Sequence, residues 1–75
     1  MDDFEQAYGL LNTLIAAYSA RIATTSGNEV QPLRTERASL LAERDDLTPD
    51  NQQHVAAILR EAPIRLRKVR AGDAR

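Results

Sequence analysis

Bulky side chains recur at helical intervals from the start of the chain. Phe4, Tyr8, Leu11, Ile15, Tyr18 and Ile22 lie 4, 3, 4, 3 and 4 positions apart, the repeat of a coiled-coil seam. The spacing predicts a first helix over about residues 3–25. Asp2, Asp3 and Glu5 suit the positive end of its dipole. Ser26-Gly27-Asn28 stops it, with Gly27 as the left-handed residue. A second stripe on the same helix holds only small residues: Gly9, Thr13, Ala16, Ala20 and Ala23. It is offset from the bulky stripe by five residues, which places it about 140° around the cylinder. Leu10, Leu14 and Ala17 fill part of the remaining arc, and Arg21 is the only charge between Gln6 and Thr25. A helix with a wide solvent face carries a charged back. This one lacks it, so we expect it to be covered on two sides.

The pattern continues in two further helices. Val30, Leu33, Arg37, Leu40, Arg44 and Leu47 make the stripe of a second, over about residues 29–46, with Asn28 as its expected N-cap and Pro32 in its first turn. Two arginines stand in this stripe, where their aliphatic stems can lie on apolar surface while the heads reach outward. Leu47-Thr48-Pro49-Asp50 is a start signal for the third helix, 49–71, with Thr48 as N-cap and Pro49 in the first helical position. Val55, Leu59, Ala62, Leu66 and Val69 keep their register straight through Pro63. Proline there removes the bond to the Leu59 carbonyl, which predicts a kink. Residues 72–75 read as a frayed end. No stretch alternates as a strand does. The expected architecture is all-α: a three-helix antiparallel bundle or elongated helical hairpin with the third helix kinked at Pro63.

Composition narrows the class. The 75 residues form one domain at most and contain no cysteine, which excludes disulfides and thiolate zinc. A chain this short relies on tight helix packing or on association. The formal charge is −1, and the longest uncharged run, 6–20, is too short and too polar to cross a membrane. Met1-Asp2-Asp3 puts acid where a secretory signal carries base, so the expected location is cytoplasmic. Twelve alanines, and nine arginines against one lysine, point to a GC-rich bacterial genome.

Candidate chemistry is thin. His54 stands four positions after Asp50, with Asp45 and Asp46 across the turn, which makes an oxygen-rich metal corner conceivable. A solvated turn with helix-start acids explains the same residues, and no second histidine supports catalytic zinc. Ser19, Ser26 and Ser39 are scattered and the three glycines form no phosphate loop. We therefore expect no enzyme, no metal and no cofactor. Charge is more informative. Residues 1–37 carry net −2, 38–63 net −3 and 64–75 net +4. Arg60, Arg65, Arg67, Lys68 and Arg70 form a basic segment suited to phosphates or to an acidic partner. No aromatic is interleaved for base stacking. The acidic tip of Glu43, Asp45, Asp46 and Asp50 resembles in outline, over a few acids and a turn, the transcription factors that push a helical hairpin into the polymerase channel.

These readings lead to one principal expectation. The chain is a helical protein–protein interaction module that forms a homodimer through Gly9, Thr13, Ala16, Ala20 and Ala23 and binds a larger protein. The alternative is a small nucleic-acid-binding or transcription-regulating accessory that uses the basic third helix.

Overall fold

A computed structural model describes residues 2–73 and shows three helices packed on one another. The first, α1, spans Asp3–Thr24. Its N-cap is Asp2, whose Oδ1 accepts from the Glu5 amide at 2.7 Å. A short 3-10 turn, Gly27–Glu29, leads into α2, Val30–Asp46. Gly27 has φ +73°, the left-handed value expected of it. Asn28 lies inside that turn and caps nothing; Glu29 precedes α2 without a side-chain cap. The last helix, α3, spans Gln52–Asp73 and runs through Pro63 as one element.

α3 starts later than its sequence signal. The Asn51 amide donates to the Thr48 carbonyl and the Gln52 amide to that of Asp50, so Thr48–Asp50 form a turn of their own. The Asn51 Oδ1 accepts from the His54 amide at 3.1 Å and supplies the side-chain cap assigned above to Thr48. Asparagine ranks above threonine at this position, and it stands three residues nearer the first buried valine, Val55. At the other end α3 continues to Asp73, past the expected start of fraying at 72; positions 74 and 75 lie outside the described residues.

The topology is up–down–up. Arg44 reaches Asn12 and Arg37 reaches Ser19, so α1 and α2 are antiparallel. Arg21 donates to the Val69 carbonyl near the far ends of both helices, while Phe4 shares a groove with Val55 and Leu59, so α1 and α3 are parallel. α1 packs against both others, whereas no Cα of α2 lies within 8 Å of one in α3 among the described residues. The result measures 40 × 21 × 16 Å with a radius of gyration of 12.9 Å. A spherical domain of this length has about 11 Å.

The core is thin and mostly aliphatic. Ala7, Leu11 and Leu14 of α1 meet Leu40 of α2, Leu47 of the turn and Val55, Ile58 and Ala62 of α3. The six stripe positions of α2 are all buried or half-buried, as the periodicity indicates. α1 departs from its bulky stripe: Ala7 and Leu14 are fully buried, while Tyr8 is 39% exposed. The inward face is rotated by about 40° from the stripe of largest residues. Two neighbours cause this. α1 turns one flank to α2 and the other to α3, and its mean inward direction follows both rather than its largest side chains.

Candidate interaction surfaces

The small-residue stripe of α1 points directly away from the core. Gly9, Thr13, Ala16, Ala20 and Ala23 are all exposed, about 180° from the Leu11–Tyr18 line. Thr13 Oγ1 donates back to the Gly9 carbonyl at 3.0 Å, and a Cβ built on Gly9 meets nothing within 4 Å. α1 is covered on two flanks, by α2 and α3, and the small-residue stripe is the face that neither of them reaches. α2 and α3 between them cover Phe4, Leu10, Leu11, Leu14, Ile15, Tyr18 and Ile22 at least in part. On the small stripe itself only methyls, a glycine and a hydroxyl are exposed, and single exposed alanines cost little. Tyr8 is the one large apolar side chain of α1 among the described residues that is exposed.

The basic residues of α3 do not form one strip. Arg60 pairs with Glu61 at 3.3 Å, and Arg65 reaches across to Glu36 of α2 at 3.4 Å. Arg67, Lys68 and Arg70 are exposed. By helical spacing, Arg60 and Arg67 flank Ile64 on the outer face, Lys68 sits with Arg65 toward α2, and Arg70 lies on the opposite flank. Ile64 itself is 44% exposed.

His54 is taken up elsewhere than the metal corner. Its Nε2 lies 2.9 Å from Glu43 Oε2, bridging α3 to α2, and both side chains are partly buried. No group of three His, Asp or Glu side chains able to hold an ion occurs among the described residues. Asp46 and Asp50 remain exposed.

Topology converts the uneven charge of the sequence into a lengthwise separation. The parallel α1 and α3 start at the end where α2 finishes. That end gathers Asp2, Asp3, Glu5, Glu43, Asp45, Asp46 and Asp50 against Arg44. The opposite end gathers Arg21, Arg34, Arg37, Arg65, Arg67, Lys68 and Arg70 against Glu29 and Glu36. The −2 of residues 1–37 concealed this, because α1 begins acidic and α2 begins basic. No sequence window contains residues that meet only through the fold.

A groove opens at the acidic end between the first turn of α1 and the first two turns of α3. Phe4, Val55, Ala56, Leu59 and Pro49 supply apolar walls, and Asp2, Asp3 and Gln52 the polar rim, around about 450 Å³. The sequence reading missed it, because its walls come from residues some fifty positions apart. A smaller recess of about 220 Å³ lies at the basic end, lined by Tyr18, Arg21, Leu33, Lys68 and Val69. No described helix is long and apolar enough to cross a membrane. No protein-family model, curated protein or solved structure shows significant similarity to this chain.

Proposed function

We propose that the chain is a non-catalytic helical interaction module that self-associates and presents an acidic end and a basic end to a larger protein. The separation of charge along a 40 Å axis is the observation that carries this reading. Opposed charged ends steer an approaching partner and select its orientation more than they add affinity. Self-association uses the outer face of α1, where Gly9, Ala16, Ala20 and Ala23 permit close helix approach. An antiparallel pair sets the acidic end of each copy beside the basic end of the other and closes as a symmetric dimer. A bend of α3 at Pro63 belongs to the same reading, since the missing N–H leaves the Leu59 carbonyl without its helical donor. The alanine- and arginine-rich composition supports a bacterial origin, and the acidic Met1-Asp2-Asp3 start supports a cytoplasmic setting.

Sedimentation at micromolar concentration tests self-association. A dimer mass that falls toward 8.3 kDa with Ala16→Glu, and less with Ala56→Glu, is the expected result. A monomer at all concentrations removes the dimer, and equal effects of the two substitutions remove the small-residue stripe as its interface.

The second reading is a nucleic-acid-binding or transcription-regulating accessory, favoured by the exposure of Arg67, Lys68 and Arg70 at the basic end. Fluorescence polarisation with random duplex DNA and RNA at two salt concentrations separates it from the first. Salt-steep binding lost when Arg65, Arg67, Lys68 and Arg70 become alanine establishes it. Absence of binding at low salt eliminates it.

A further inference from the structure

We propose that the groove at the acidic end docks a cationic amphipathic helix of a partner protein. This rests on the reading above and names the chemistry of the larger partner. The apolar walls come from both helices: Phe4 from the first turn of α1, Val55 and Leu59 from the inner flank of α3, Ala56 at the lip. The groove is neither closed over nor flat, so a helix laid across its mouth can insert apolar anchors from one face. Asp2 and Asp3 form part of the rim, and Asp50 follows the wall residue Pro49 in the chain. All three are exposed, and Glu5, Asp45 and Asp46 add further negative charge at the same end.

Two helix N-termini converge here and would by themselves favour an anion. Each contributes roughly half a positive charge, far less than the carboxylates at this end. Asp2 moreover spends one oxygen on the Glu5 amide as the cap of α1. The net field at the groove is therefore negative. Its occupant carries lysine or arginine beside its apolar anchors, and an acidic helix of the same hydrophobicity is repelled.

The chain has no tryptophan, so a single tryptophan in a probe peptide reports its own burial. The probe is a leucine–lysine amphipathic helix of about four turns, titrated into the full chain beside a leucine–glutamate counterpart. The expected result is a blue shift of emission that saturates at one peptide per chain. Binding weakens with salt and is at least about tenfold weaker for the glutamate peptide. Ala56→Arg fills and charges the groove from an exposed helical position, and is expected to abolish binding with helicity unchanged. Asp3→Lys, a second variant outside the core, is expected to weaken it and flatten its salt dependence.

Equal binding of both peptides, failure to saturate, or unchanged binding to Ala56→Arg overturns the proposal. So does a fall in molar mass of the peptide-free protein caused by Ala56→Arg. The groove would then be filled by a second copy, presenting Ile64 among Arg60, Arg67 and Lys68. Ala16→Glu distinguishes the two failures, because it disrupts the proposed dimer and leaves the groove intact.

Discussion

The two seams of α1 are built differently. Toward α3 the contact is aliphatic: Ala7, Leu11 and Leu14 meet Val55, Ile58 and Ala62, all less than 6% exposed. Toward α2 the only fully buried helical residue is Leu40, and two arginines continue the seam on either side. Arg37 donates to the Ser19 hydroxyl at 3.2 Å and Arg44 to the Asn12 amide oxygen at 2.9 Å. Burying a leucine-sized side chain is worth about 1.5–3 kcal/mol, and a hydrogen bond only about 0.5–1.5 kcal/mol net. The α3 seam thus supplies most of the stability. The α2 seam sets register: each arginine finds its partner at one longitudinal offset only. Arg44 bears a cost, since its Nε is buried without a hydrogen-bond partner and Asp45 stands 4.0 Å away.

That contrast is open to direct attack. Ile58→Ala, in the aliphatic seam, is expected to destabilise by about 2–5 kcal/mol in urea unfolding; a loss below about 1 kcal/mol would mean that this seam is not the stronger one. Asn51→Ala removes the cap that starts α3 and is expected to cost about 1 kcal/mol, whereas Thr48→Ala leaves the thermal midpoint nearly unchanged. The reverse order would restore Thr48 as the cap. Arg44→Leu exchanges a hydrogen bond and an unsatisfied Nε for apolar contact, and is expected to change stability by less than about 1 kcal/mol in either direction. Its larger effect is on uniqueness, read as broadened amide resonances in α2. Smallest is Glu36→Gln, which breaks the exposed link to Arg65 and is expected to cost no more than about 0.5 kcal/mol. A large effect there would show that charge, rather than α1, ties α2 to α3.

Much of this architecture was legible along the chain. The intervals from Val30 to Leu47 and from Val55 to Val69 mark the inward faces of α2 and α3 because each helix has one apolar stripe against a charged back. Gly27 marks a break because glycine takes positive φ at no steric cost. α1 was harder to read. With a single charge between Gln6 and Thr25 it has no polar back to point outward, so several rotations satisfy its pattern equally. The candidate surfaces divide in the same way. The small stripe and the basic segment are contiguous patterns on one helix and can be seen in sequence, whereas the groove joins Phe4 to Leu59.

Local chemistry therefore decided the number of helices, their approximate ends and the inner faces of two of them, since propensity, capping and periodicity act over a few residues. Tertiary structure alone decided which way α1 faces, that His54 serves Glu43 rather than the aspartates beside it, and that acids from three separate segments share one end. Those outcomes depend on which helix runs parallel to α1 and at what offset. Long-range packing sets that offset, and no short stretch of sequence encodes it.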